Sequence, residues 1–281
     1  MDISASNLHT HAQQITIAGK RLNYLDVGQG PVLLLGHSYL WDSQMWAPQI
    51  AFLSQHYRCV VPDLWGHGGS ETLPDTCLTL QDIADHMLSL MDKLNIENFH
   101  VLGLSVGAMW GAELVLKAPA RVQSLVMLDS FIGFEPEVTR AKYDLMLDTI
   151  QAAKHIPSHI IDAVVPLFFG VDTPVIKPQL VEDFKTSLAN IDASRIDSLV
   201  NVGRMVFHRR DTMEEVEQFT LPCLIMVGVE DVARTVLESY LMHDAITGSQ
   251  LVHIPKAGHI STLEQADFIN QALSEFYAKH A

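Results

Sequence analysis

The chain has 281 residues, enough for one large α/β domain or a core domain with an insertion, and is 48% hydrophobic and 18% charged, a globular rather than disordered composition. Thirty-three acidic residues against 18 basic ones leave a formal charge of −15, with no Lys or Arg block dense enough to follow a phosphate backbone. That balance excludes nucleic acid and anionic membrane as partners.

The N-terminal MDISASNLHTHAQQ is polar and lacks an apolar h-region, and no apolar run approaches the ~20 residues that span a bilayer, so a cytoplasmic protein is expected. His9 and His11 have no further ligand types nearby and are read as solvated, with no metal. QITIAGK and RLNYLDVG alternate around a Gly-Lys turn, which predicts an antiparallel hairpin. From Pro31 the character changes. Residues 32–35, 59–61, 101–104, 125–128, 224–227 and 251–254 are short, nearly all-apolar runs of the kind found in parallel strands covered on both faces. Helical patterns lie near 46–55, 79–94, 106–117, 233–246 and 261–279, and strand followed by helix is the signature of a doubly wound α/β domain. Trp46 and Trp110 are assigned to the core.

One interval breaks the rhythm. Residues 131–219 hold no clear parallel-strand run, only helix-like stretches punctuated by Pro136, Pro157, Pro166, Pro174 and Pro178. This reads as a helical cap inserted into a core of 1–130 and 220–281, over the carboxyl edge where open α/β sheets bind ligands. Cys59, Cys77 and Cys223 show no paired spacing and are expected as buried free thiols. His208, Arg209 and Arg210, the compact basic cluster, read as a solvated face or a local ion pair with Asp211.

Gly103-Leu-Ser105-Val-Gly107 fits G-x-S-x-G, with FHVLGL as a strand entering and VGAMWGAELVLKA as a helix leaving, the setting of a nucleophile elbow. A serine on so tight a turn crowds residues two positions away, so glycines belong there. A serine hydroxyl needs a base and the base an orienting carboxylate, following in the order Ser, acid, His. His259 lies in IPKAGHIS after the last strand, whereas His253 falls inside LVHI and reads as packed. Asp231, ending LIMVGVED, is the acid candidate; Glu230 is the adjacent alternative and Asp129, ending LVMLD, the rival from the strand before the cap. The oxyanion donors are expected to be the backbone N–H groups of Val106 and of Tyr39 in His37-Ser38-Tyr39, with His37 bracing its loop. The acyl pocket is expected to be apolar, from Leu40, Trp41, Phe131, Ile132, Phe134, Phe168 and Phe207.

These motifs resemble the α/β-hydrolase superfamily, in particular its capped carboxylesterase and enol-lactonase-like branch, over nearly the whole chain. Pro62-Asp63-Leu-Trp-Gly66-His67-Gly68-Gly69-Ser70 is similar to the family's D-x-x-G-x-G-x-S loop, and Gly258-His259-Ile-Ser-Thr-Leu-Glu264-Gln265 to its closing G-H motif. The chain departs from the family's His-Gly in the oxyanion loop, having Ser38 after His37. The resemblance implies an eight-stranded, mostly parallel sheet and a serine hydrolase of small esters or lactones without a cofactor, as monomer or homodimer. A ligand-binding or signalling protein with slow hydrolysis, and a C–C hydrolase or perhydrolase with the same triad, are the alternative readings.

Overall fold

The computed structural model describes residues 5–280, with side chains from residue 8 onward. β1 (Ala12–Ile17) and β2 (Lys20–Val27) form the hairpin, which turns on Ala18 and Gly19, both at positive φ (48° and 79°). Two consecutive left-handed residues give the turn whose twist matches that of the flanking strands. The chain then runs through β3 (Val32–Gly36), α1 (Ala47–Leu53), β4 (Arg58–Pro62), α2 (Leu80–Lys93), β5 (Phe99–Leu104), α3 (Val106–Lys117) and β6 (Val122–Leu128). Six helices follow before the sheet resumes: α4 (Glu137–Ala153), α5 (Ser158–Val164), α6 (Thr173–Ile176), α7 (Pro178–Ala189), α8 (Ile196–Phe207) and α9 (Met213–Val216). β7 (Cys223–Gly228), α10 (Val236–Ala245), β8 (Gln250–Ile254), α11 (Ser261–Glu264) and α12 (Ala266–His280) complete it.

The eight strands lie in the order β1-β2-β4-β3-β5-β6-β7-β8, antiparallel as far as the β2–β4 pair and parallel from β4 to β8. Every residue of β5 and of β7 is buried, which is why these strands read as continuous apolar runs without alternation. α3 is buried from Val106 to Val115, and the Trp46 and Trp110 rings are fully enclosed. Cys59, Cys77 and Cys223 are free and buried. Among the described residues no helix is long and apolar enough to cross a membrane.

Two helix ends differ from the periodicity for local reasons. The pattern starting at 233 becomes a helix only at Val236, because Asp231 Oδ1 accepts the Ala233 and Arg234 N–H groups at 2.8 and 2.9 Å. That side-chain turn competes with helix, and Thr235 and Glu238 then start α10 with a capping box. The closing pattern splits into α11 and α12 at Gln265, whose φ and ψ of −131° and 49° are not helical.

The centre of the sheet depends on backbones passing unusually close. A Cβ on Gly107 would stand 2.1 Å from the Gly36 carbonyl oxygen, and one on Gly103 2.3 Å from the Ala108 nitrogen. β3 and β5 therefore approach the first turn of α3 as only glycine allows. Gly107→Ala is expected to destabilise the fold by about 3 kcal/mol or more, at the upper end of overpacking costs. A urea midpoint equal to that of the wild type would show that this approach is not needed.

Candidate active site

Ser105 sits between β5 and α3 at φ 56° and ψ −120°, a conformation costly for any residue with a Cβ. Its backbone is held on both sides: its N–H donates to Leu128 O at 2.9 Å, and its carbonyl accepts from Ser130 Oγ at 2.8 Å and from Ala108 N at 3.0 Å. The turn points the side chain above the carboxyl edge of the sheet with Val106 N at the start of α3, where helix N–H groups and dipole favour negative charge.

β7 and β8 deliver the other two groups. Asp231, three residues past β7, accepts from His259 Nδ1 through Oδ2 at 2.9 Å, with both side chains almost fully buried. Because Asp231 is a carboxylate acceptor, the proton sits on Nδ1 and the Nε2 lone pair is left free. His259 and Ser105 line one cavity but form no hydrogen bond with each other in this structure. Glu230 points away, accepting the Val171 N–H at 2.6 Å. His253 stays in β8, its ring against that of Tyr240.

Asp129 lies beside this pair without joining it. It ends β6 at φ 46°, fully buried, and accepts from Gly228 N at 2.7 Å and from Ser261 Oγ. It thus ties the end of β7 to the loop just past His259. Burial first, and then the Asp231 charge, push its carboxyl well above the usual range.

The loop after β3 is braced from below. Leu64 N donates to His37 Nε2 at 2.8 Å, so the His37 proton is on Nδ1, where it meets Ser38 O at 2.7 Å. His67 follows the same logic, with Leu40 N on Nε2 and Trp65 O on Nδ1. Its pKa is lowered to about 3, by burial and then by His37, so it stays neutral. Asp63 gathers Ser43 N, Gly69 N and Asn23 Nδ2 at 2.8 Å each, joining this loop to the D-x-x-G-x-G-x-S turn. Ser38 is accommodated by burial, its N–H on Met45 Sδ at 3.3 Å. Among the described residues no acceptor of the chain takes up the amide hydrogens of Tyr39 or Val106.

The cavity beside Ser105 has a volume of about 90 Å³. Of the expected pocket residues it includes Leu40, Phe168 and Phe207. The other four lie elsewhere. Trp41 stacks on Phe184 at 4.4 Å and faces a neighbouring cleft. Phe131 packs under the Arg209 guanidinium, Ile132 is enclosed with its carbonyl accepting from Thr212, and Phe134 is 59% exposed. The segment 131–134 leaves the sheet edge away from the cavity, and the wall comes instead from α4 and α5. α4 contributes Tyr143, Met146, Leu147 and Ile150, a stripe at three- and four-residue spacing that was legible as a helix face. Arg234 also lines the cavity, a residue that no motif marks.

In the basic cluster at 208–210, His208 and Arg210 are exposed and Arg209 is buried, and each has an acidic partner. His208 meets Asp144 at 2.8 Å, Arg209 is buried on Glu135 at 3.0 Å, and Arg210 clasps Glu113 at 2.8 Å. Asp211 turns to the Met213 N–H at 3.0 Å rather than to these cations.

Known proteins resemble this arrangement. The family profile described as alpha/beta hydrolase fold matches residues 31–163. A carboxylesterase of Bacillus subtilis is 28% identical over 257 residues, 88% of this chain and 79% of that protein. A 3-oxoadipate enol-lactonase of Acinetobacter baylyi is 26% identical over 246 residues, 88% of both. The solved structure of a thermophilic esterase from Thermogutta terrifontis superposes with a TM-score of 0.88 at 25% identity, covering 96% of this chain and 100% of that one.

Asp129 gives a test of the buried carboxylates. An unfolded carboxyl titrates near 3.9, whereas the folded Asp129 titrates well above it. As pH rises from about 4, the folded chain holds a proton that the unfolded chain has released, so this group's contribution to stability falls. Asparagine has no such dependence and can still accept from Gly228 N and donate to Ser261 Oγ. Asp129→Asn should therefore gain stability relative to wild type between pH 4 and pH 7, read from urea unfolding at both. A difference that stays constant or reverses with pH would contradict the raised value.

Proposed function

We propose, for a chain that belongs to the α/β-hydrolase superfamily in its esterase and enol-lactonase-like branch and is a hydrolase acting on ester bonds, that Ser105 is the nucleophile of a two-step acyl transfer on a small ester or lactone. The observation that carries this reading is the Asp231–His259 bond, which leaves Nε2 as the free base in the cavity that Ser105 lines.

In the first step His259 Nε2 takes the Ser105 proton as Oγ attacks the carbonyl carbon, and the oxygen becomes an oxyanion between the Tyr39 and Val106 amides. Asp231 stabilises the imidazolium without taking a proton itself. The tetrahedral adduct collapses as His259 gives its proton to the leaving alkoxide, leaving an acyl ester on Ser105. Water, deprotonated by His259, then attacks that ester, and the acid leaves as Ser105 regains its proton. The hydrogen bond between Ser105 and His259 forms when substrate closes the gap, as catalytic contacts often tighten only in the complex. The mostly apolar cavity, walled by Leu40, Met146, Leu147, Ile150, Phe168 and Phe207, suits a small to medium acyl chain.

Hydrolysis of p-nitrophenyl butanoate tests the reading. Ser105→Ala should lose on the order of 10⁶-fold in kcat, and Asp231→Asn about 10⁴-fold, because asparagine favours the wrong tautomer of His259. An aryl phosphonate should label Ser105 stoichiometrically and fail to label Ser105→Ala. Equal turnover by wild type and Ser105→Ala, or none by either, would overturn it, and none by either would favour a ligand-binding role.

A further inference from the structure

The cavity wall is carbon except for the groups proposed to react or to hold the oxyanion, the neighbouring Ser38, and two further side chains, Tyr143 on α4 and Arg234 in the turn after Asp231. Neither is used by the acyl-transfer steps. Arg234 is 5% exposed. Its Nη2 donates to Glu135 Oε2 at 2.7 Å, while its Nη1 reaches Glu238 Oε1 only at 3.4 Å. Among the described residues no acceptor engages the Arg234 Nε–H or the Tyr143 hydroxyl. Tyr143 is held by its ring, stacked on Phe207 at 3.9 Å and 10°. Burial raises the pKa of its hydroxyl, which therefore remains a donor. Two donors on one mostly apolar cavity thus have no partner in the protein and are free to meet an acceptor that a ligand supplies.

Two guanidiniums, Arg209 and Arg234, face two carboxylates, Glu135 and Glu238, at this corner. Glu135 also accepts from Arg209 Nη1 at 3.0 Å, so one buried carboxylate serves two guanidiniums, and Arg209 Nη2 is left buried without a partner. Glu238 is the next carboxylate, but its Oε2 is taken by the Thr235 N–H at 2.6 Å, at the start of α10. Beyond the corner the chain is strongly acidic, with a net charge of −15. Surface charge is screened over about 8 Å at physiological salt, so selection of an anion falls to contacts inside the cavity.

We infer that Arg234 and Tyr143 form a subsite for a carboxylate, which the substrate carries on a short apolar chain reaching away from its scissile carbonyl. The inference builds on the reading of Ser105 as nucleophile and adds the class of substrate. A planar carboxylate can take the Arg234 Nε–H on one oxygen and the Tyr143 hydroxyl on the other, while Met146, Leu147 and Ile150 cover the connecting chain. A neutral chain of the same length would leave both donors buried and unpaired.

Two pairs of esters locate the subsite: p-nitrophenyl hexanoate against p-nitrophenyl hydrogen hexanedioate, and phenyl butanoate against 4-carboxyphenyl butanoate. They place the anion on the acyl and on the alcohol side in turn. At 150 mM salt the wild type should favour the anionic member of one pair by about tenfold or more in kcat/KM, the scale of one hydrogen bond to a charged group. Arg234→Met should abolish that preference while leaving turnover of the neutral member within a few-fold, and Tyr143→Phe should reduce it. Arg234→Met leaves Glu135 paired with Arg209, so the variant is expected to fold, and its thermal midpoint checks this. Independently of catalysis, hexanoate should raise the thermal midpoint of Ser105→Ala, hexanamide should not, and Arg234→Met should erase the effect. The subsite is overturned by the absence of anionic preference in both pairs, by Arg234→Met slowing both members equally, or by hexanoate and hexanamide acting alike. Loss of Ser105-dependent turnover would overturn the nucleophile reading alone, since the hexanoate shift does not require chemistry.

Discussion

Holding a residue that bears a Cβ at φ 56° and ψ −120° costs about 1–3 kcal/mol, and Ser105 pays this only because its surroundings leave no relaxed alternative. Gly36 and Gly107 bring β3 and α3 into backbone contact, Gly103 lets β5 run directly beneath the first turn of the helix, and hydrogen bonds to Leu128 O and from Ser130 Oγ clamp the peptide units on either side. The strain is thus the same constraint that places Ser105 beside Val106 N at the start of α3, and the central strands are packed so as to maintain it.

The groups opposite Ser105 are positioned by buried carboxylates rather than by apolar packing alone. Asp231 holds His259, and its second oxygen holds the Ala233 and Arg234 amides. Asp129 links Gly228 to Ser261. Glu264 accepts from Gly258 N with one oxygen and from Gly170 N and Thr173 Oγ with the other, at 2.7, 2.7 and 2.5 Å. The residue before His259 and the segment carrying Phe168 are therefore fastened to one carboxylate, and Ile260 N adds a bond to Phe168 O at 3.0 Å. The Phe168 ring lies edge-on to that of His259, 5.4 Å away. Burial pushes Glu264 upward in pKa, against the pull of its three hydrogen-bond donors. In this arrangement the helical segment between β6 and β7 is joined to the histidine loop, so the wall of the cavity and His259 are tied together.

How much of this was legible follows from which physical signals are local. β5 and β7 announce themselves because burial on both faces leaves them almost wholly apolar, with His100 the one polar side chain, and the turns after them carry Ser105 and Asp231 at positions set by strand ends. His259 was identifiable by the same reasoning. Asp231 was preferred over Asp129 on chain order, although both stand at the ends of adjacent parallel strands, and a difference in reach gives the His259 bond to Asp231 and the Ser261 bond to Asp129. Glu264 sat in a quoted motif, yet its donors come from Gly170 and Thr173, some ninety residues away, and no local pattern predicts them.

The cavity wall was the least legible part, and the reason is geometric. Aromatic content near the sheet edge pointed to Phe131 and Phe134, but proximity in sequence to β6 says nothing about the direction in which the chain leaves it. α4 instead returns across the edge and turns Tyr143, Met146, Leu147 and Ile150 inward, while packing its other contacts on α8. Arg234 was hidden for a related reason: a single cation in a polar turn reads as solvated unless its partner is known, and that partner, Glu135, precedes it by 99 residues. The buried guanidiniums Arg209 and Arg234 both pair with Glu135, and the exposed Arg210 pairs with the buried Glu113. Such pairs contribute little net stability for the desolvation they require, but they fix where each guanidinium points. For Arg234 the pair with Glu135 holds the guanidinium at the cavity wall, where the proposed carboxylate subsite needs it.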